Sequence, residues 1–408
     1  MRAALNAHFF HHPATGHGQY VAHLLRAFAR IGEGVDALPF CDGAPVAPPG
    51  GWPGGRPPVL AKTPFDPLGG DARKVWWEQV TWPRLAARSG AGVGHVPYFA
   101  PPLVRNGDLP IVATIHDLIP LIIPEYITTP LVRLYNTLVS AGARRADLVL
   151  VDSEASRLDV VRLLGIPAER ARVVYLAADE AVLPAPPAAD IERVKAKYGL
   201  ADPFVFYLGG LDKRKNVPAL LRALAALPPE VPWQLAVSGK LTRHNLRLFP
   251  DLPRIAGELG IAGKVHFLGF VPDVDKPAMY RAATCFAFPS MYEGIGLDPL
   301  EALACGTPVV CSNRSSLPEV MGDAALLVDP DDTAAFADAL RRVLTDANLR
   351  ADLAHRGPAQ AATFTWDDTA RQTAAAYRDV LRVPSSGFQV AAGGTRNSEL
   401  GTKRPCAS

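Results

Sequence analysis

Short apolar runs alternate with amphipathic stretches along nearly the whole chain, and each run is apolar on both sides of a pleat. In the first half the runs fall at residues 2–10, 34–40, 92–99, 110–117, 147–153 and 172–177. Helical periodicity at 17–31, 74–88, 129–145 and 153–164 separates them. The second half repeats the pattern, with strands expected at 204–208, 233–238, 265–268, 284–288, 308–311 and 325–328. Helices are expected between them at 217–227, 245–259, 277–283, 299–305 and 333–344. Such runs, divided by helices, predict parallel sheets covered on both faces. The stretch LPAPPAAD at 183–190 reads as a linker before a fresh helix at 191–198. The predicted fold class is therefore α/β, with two doubly wound, Rossmann-like domains facing each other across a cleft. Their spans are 1–184 and 185–365, followed by a helix over 366–382 and a tail, 383–408, expected to be disordered. The Pro- and Gly-rich segment 41–70 is expected to be a long loop at the mouth of the first domain.

Composition narrows the classes. Hydrophobic residues make up 49% and charged residues 20% of 408 positions, the balance of a globular protein. The net charge of +2 comes without a basic stripe, which argues against a nucleic-acid partner but leaves anionic small ligands open. Cys41, Cys285, Cys305, Cys311 and Cys406 form no CxxC pair, so the chain reads as reduced and cytoplasmic. No cleavage-site pattern marks the N-terminus, and the apolar window 118–127 is broken by Pro120, Pro124 and Glu125. A soluble protein is expected, with peripheral contact at the inner membrane face still open.

The densest chemistry lies in PSMYEGIGLDPLEALACGTPVV, residues 289–310. A buried strand runs into a glycine loop, and a short helix is expected to start at Pro299 with Asp298 as N-cap and Gly306 just past its end. Free amides and the positive end of a helix dipole at such a place suit a diphosphate. Glu301 admits two readings. Asp298 and Glu301 have the spacing of a capping box. Alternatively the Glu301 carboxylate accepts hydrogen bonds from vicinal ribose hydroxyls. Spacing does not separate the two.

A second signal, YLGGLDKRKN at 207–216, puts Lys213, Arg214 and Lys215 at the carboxyl end of the second domain's first strand. Two phosphate-suited elements on one domain reinforce each other. In the first domain TGHGQY opens a helix, with Gly16 and Gly18 as a close-approach loop, and His116 and Asp117 end a strand. His8, His11, His12 and His17 crowd together, but their spacing matches no standard ligand pattern and no Cys or paired carboxylate joins them. No metal is expected.

Taken together these segments resemble glycosyltransferase family 4, retaining enzymes with two facing Rossmann-like domains, the GT-B fold. The resemblance covers about residues 2–382 and rests most on YEGIGLDPLEALACGTPVV, which matches the family's E-x7-E motif with Glu293 and Glu301. GGLDKRKN, TIHDLIPLIIPEY, VDSEASRLDVVRLLGI and NRSSLPEVMGDAALLVDPDD follow the family's order of segments. The resemblance implies that Arg214 and Lys215 hold a donor diphosphate, that Glu301 binds the ribose and that Glu293 contacts the transferred sugar. It places the backbone of Gly294, Ile295, Gly296 and Leu297 near sugar and phosphate. It sets His116 across the cleft as a further catalytic residue and brings the Gly16 and Gly18 loop toward the donor. The first domain would then carry the acceptor and the second the nucleotide sugar, with helix 366–382 crossing back to the first. Gly210 and Ile295 depart from the family's common Arg and Phe.

The implied function is retaining transfer of a hexosyl group, mannosyl first, from a nucleotide diphosphate sugar to a saccharide or lipid-linked saccharide. No cofactor or metal is implied. Segments HDLIPLIIPEY and SSLPEV resemble members that build bacterial surface polysaccharides. The alternatives are a sugar phosphorylase or nucleotide-sugar epimerase on the same fold, and a non-catalytic nucleotide-sugar-binding protein. The lysine motif of a pyridoxal phosphorylase is not found.

Overall fold

This computed structural model describes residues 1–13, 15–66, 70–242 and 245–382, so the expectation for the tail lies outside the described residues. Seven strands form the first sheet: β1 Arg2–Asn6, β2 Asp36–Asp42, β3 Val59–Ala61, β4 Val93–Val96, β5 Ile111–Ile115, β6 Leu148–Val151 and β7 Ala171–Val173. Six form the second: β8 Phe204–Leu208, β9 Gln234–Ser238, β10 Val265–Gly269, β11 Cys285–Phe288, β12 Val309–Ser312 and β13 Leu326–Val328. The orders are β3-β2-β1-β4-β5-β6-β7 and β10-β9-β8-β11-β12-β13, and every pairing is parallel. Each order reverses once, between β1 and β4 and between β8 and β11. Loops leaving the strands at these switch points open a crevice beyond the carboxyl ends, where ligands of such sheets bind.

Local chemistry sets the elements around the crevice. Helix Gly16–Ile31 starts where the Thr15 side chain accepts the Gly18 amide and stops at Gly32, whose φ of 66° favours glycine. Ser153 caps Glu154–Leu164 in the same manner. Helix Trp366–Arg382 lies along Gly16–Ile31 on the first sheet's side. Trp366 donates its indole N–H to the Ala178 carbonyl at 3.1 Å, and the Tyr377 hydroxyl meets His95 Nδ1 at 2.6 Å.

Several boundaries moved. The 2–10 strand ends at Asn6, because a 3-10 turn, His8–His11, follows it. The expected 41–70 loop contains β3, a sheet edge too short to show period-2 alternation. The 74–88 helix divides into Gly70–Trp76, a π-type turn Trp77–Thr81 and Trp82–Arg88, with Pro83 in the first turn of the last. Only Leu252–Glu258 of the 245–259 helix forms, since Pro253 and the Asp251 cap set a start there. Helix Ala347–Ala361 was not anticipated. Among the described residues no helix is long and apolar enough to cross a membrane.

Candidate functional site

The two sheets meet across a cleft of about 440 Å³. The first domain contributes Gly16, His17, His116, Asp117 and Asp152. The second contributes Gly209, Gly210, Lys276 and the run from Glu293 to Asp298, with Glu301 behind it. A roomier groove of about 560 Å³ near Trp76 and Leu134 is mostly apolar. The cleft alone gathers charges of both signs around loops from both switch points.

After β8 the chain turns at Gly209, with φ of 146°, into the 3-10 turn Lys213–Lys215. The turn is fixed by the Asp212 carboxylate, which accepts the Arg214 amide at 3.2 Å. Lys213 leaves the site and pairs with Glu125 of the first domain at 2.7 Å. Arg214 and Lys215 converge on one atom, Glu293 Oε1, at 2.7 and 2.8 Å, and Ser290 donates to it at 2.5 Å. Lys215 Nζ also lies 4.5 Å over the Phe288 ring. Burial raises the Glu293 pKa, but Lys215 and Arg214 outweigh it and hold the carboxyl below its ordinary value. The sequence reading treated the two cations as phosphate ligands and Glu293 as a sugar ligand. In the structure all three side chains form one buried ionic cluster.

The glycine loop and the helix behind it supply the second element. The helix runs Leu297–Ala304, with Gly296 as N-cap at φ 82°. It begins two residues before the expected Pro299, so Asp298 lies in its first turn and forms no cap. The capping-box reading of Glu301 falls with it. Its carboxylate instead accepts the Tyr280 hydroxyl at 3.0 Å. Burial pushes the Glu301 carboxyl up to about 8, with Lys276 opposing and Asp298 adding to the rise. Burial likewise raises Asp298, against Lys215. Among the described residues, the amides of Gly294, Ile295, Gly296, Leu297 and Asp298 make no hydrogen bond. A run of free amides at a helix start is an anion cradle.

From the other wall, His116 points both ring nitrogens at acceptors, Nδ1 at Asp152 Oδ2, 2.7 Å, and Nε2 at the Pro97 carbonyl, 3.2 Å. Burial lowers its pKa, yet the Asp152 carboxylate outweighs that and raises it. With both ring nitrogens facing acceptors, His116 has no free nitrogen to take a proton. Gly16 leaves open space where a Cβ would stand, whereas a Cβ at Gly18 would lie 2.7 Å from the His12 carbonyl oxygen. Gly18 therefore serves the packing of its own loop, whereas Gly16 lines the cleft. Lys276 lines the cleft from a position that no motif singled out, and Asp152, inside the VDSEASRLDVVRLLGI segment, had no role assigned; only the fold brings both to the site.

The domains lie in contact. Ser153 donates to the Gly294 carbonyl at 2.6 Å, Tyr292 donates to Asp159 at 3.0 Å, and Glu319 accepts the Glu154 and Ala155 amides at 3.0 Å each. A Cβ on Gly294 would stand 1.9 Å from the His116 carbonyl oxygen.

Residues 190–360 match the family described as Glycosyl transferases group 1, and residues 14–182 match Glycosyltransferase Family 4. O-antigen chain mannosyltransferase B of Escherichia coli is 38% identical over 270 residues, 65% of this chain and 70% of that one. The serotype-specific mannosyltransferase WbdA of Escherichia coli is 32% identical over 276 residues, 66% of this chain but only 34% of its own length. In fold the chain is similar to Anabaena HepE in complex with UDP and glucose, with a TM-score of 0.70 and 20% identity over 93% of this chain and all of that one.

Proposed function

This chain belongs to the glycosyltransferases of the group 1 and family 4 type, and we propose that it transfers a mannosyl group from GDP-mannose to a saccharide acceptor, retaining the anomeric configuration without a divalent metal. The choice of sugar rests on two relatives, O-antigen chain mannosyltransferase B and WbdA, that are named as mannosyltransferases. They lend no support to the phosphorylase, epimerase or non-catalytic alternatives. The same names suggest an acceptor in a growing surface polysaccharide, free or lipid-linked, handled at the cytoplasmic face of the membrane.

One observation carries the chemistry: Arg214 and Lys215 share a single carboxylate oxygen beside a row of free amides. A diphosphate entering the cradle competes with Glu293 for both cations. As they swing to the phosphate, the Glu293 carboxylate is released toward the sugar hydroxyls. Binding of the nucleotide and positioning of the sugar are thereby coupled. Breaking the anomeric bond builds positive charge on the sugar and negative charge on the diphosphate, and fixed cations and amides stabilise that separation more than the ground state. His116, locked by Asp152, faces the sugar from the opposite wall. With no free nitrogen on His116 and no covalent nucleophile assigned, the acceptor hydroxyl attacks on the leaving group's own face and its proton passes to the departing phosphate.

A thermal-shift panel of GDP, UDP, dTDP and ADP tests the donor. GDP is expected to raise the melting temperature most, because a tight ligand stabilises the folded state by mass action. A larger shift with UDP would refute the guanine assignment.

Glu301 offers an independent check. Its carboxyl pKa is raised in the fold, so the unfolded chain loses its proton first, and stability falls as pH rises from the ordinary carboxylate range toward about 8. Glu301→Gln is therefore expected to melt no lower than wild type at pH 8. Measured above pH 8, where the wild-type carboxyl is ionised, the variant's affinity for GDP is expected to drop about ten- to hundredfold, the loss of a charge-assisted hydrogen bond of roughly 1.5–3 kcal/mol. Unchanged GDP affinity would remove Glu301 from the ribose site.

A further inference from the structure

Three donor atoms converge where β1 and β2 leave the first sheet. His8 Nδ1 and His11 Nε2 lie 2.6 and 3.2 Å from one oxygen, Asp42 Oδ1. The three ligand atoms fall within 4.8 Å of one another. Cys41 Sγ is 3.8 Å from His11 Nε2, and both Cys41 and Asp42 are fully buried. Nothing in the transfer chemistry uses this cluster.

Without an ion, a protonated His11 donates to both the Ala44 carbonyl and Asp42, and a bound cation would take that proton's place. His11 Nδ1 faces the Ala44 carbonyl at 3.3 Å, and a carbonyl only accepts. In a neutral ring the proton then belongs on Nδ1, and Nε2 turns a lone pair toward the carboxylate. His8 brings a second nitrogen to the same oxygen. Histidines that ligate metals donate their other ring N–H to such a carbonyl, and ligating carboxylates are held from outside. Arg73 Nε takes that outer place, 3.2 Å from Asp42 Oδ2. Around a tetrahedral zinc, nitrogen and oxygen ligands stand about 3.3 Å apart. The His11–Asp42 separation of 3.2 Å is close to that value, while His8 and Asp42, 2.6 Å apart, stand at hydrogen-bond distance and would part by a few tenths of an ångström around an ion.

We propose that His8, His11 and Asp42 form a site for zinc, an ion that takes imidazole and carboxylate together, with its fourth position left to water. Held there, the ion ties the turn after β1 to the end of β2. Phe9, in that turn, stacks on His17 of the cleft wall with ring centroids 4.5 Å apart, so the ion fixes one wall of the acceptor side and takes no part in bond breaking.

The test uses the untagged full chain stripped with a chelator and dialysed. Zn²⁺ is expected to bind with one equivalent by calorimetry and to raise the melting midpoint by roughly 5 °C or more at saturation. Co²⁺ in its place is expected to give the visible bands of a four-coordinate ion. His11→Ala and His8→Gln should each weaken Zn²⁺ binding at least about a hundredfold, beyond the loss seen for outer partners. His12→Ala, an exposed neighbour outside the cluster, should bind as wild type. Either ligand variant binding Zn²⁺ as tightly as wild type, or no saturable binding in the wild type, would overturn the site.

Discussion

Glu293→Gln is expected to lower kcat with the true donor by about 10²–10³, the range for losing a charge-stabilising contact made in the transition state, while binding of bare GDP holds or tightens. The second half follows from the ionic cluster. Arg214 and Lys215 both point at Glu293 Oε1 in this structure, so a neutral amide there frees them for the phosphate. The bare nucleotide has no sugar for the carboxylate to touch. The measurement is paired: kcat with the sugar donor, and Kd for GDP by calorimetry. Parallel losses in both would show that Glu293 only organises the two cations, and the exchange of partners proposed above would fail.

The second large effect is steric. Gly294→Ala would place a methyl 1.9 Å from the His116 carbonyl oxygen, where no atom fits. The opposing loops must part, and the Ser153 bond to the Gly294 carbonyl goes with them. A misplacement of about 1 Å costs on the order of 10² in rate, so kcat is expected to fall at least that far. GDP affinity should stay within a few-fold, because the cradle belongs to the second domain. Small-angle scattering with donor bound should show a wider particle than wild type. A variant that turns over normally would mean that chemistry takes place with the domains further apart than they stand here.

The sequence carried the architecture because strands buried on both faces read as plain apolar runs. Phe204–Leu208 begins and ends where its pattern does. The switch-point loops were legible for a related reason: glycine and charge clusters directly after such runs mark strand ends. Side-chain partners were less legible. The Asp298–Glu301 spacing fits a capping box, but the chain enters its helix at Gly296, and Glu301 turns to Tyr280 instead. Partners distant in sequence were invisible. Asp152 meets His116 from β6's exit, and Asp42 and Cys41 meet the N-terminal histidines from β2. No spacing rule along one segment detects a ligand supplied by the neighbouring strand. At Gly18 the limit is different: a glycine motif does not say whether the close neighbour is a ligand or the loop itself, and here the loop is close.

Cations and amides of the protein are the charge that drives transfer in this account, so one experiment bears on it most directly. The purified chain is incubated with GDP-mannose and a saccharide acceptor in excess EDTA, below the melting temperature of the metal-stripped protein, and the product is read by NMR. The account predicts mannosyl transfer at an undiminished rate, with the product's anomeric configuration the same as the donor's. Strict dependence on an added divalent ion, or an inverted product, would contradict it.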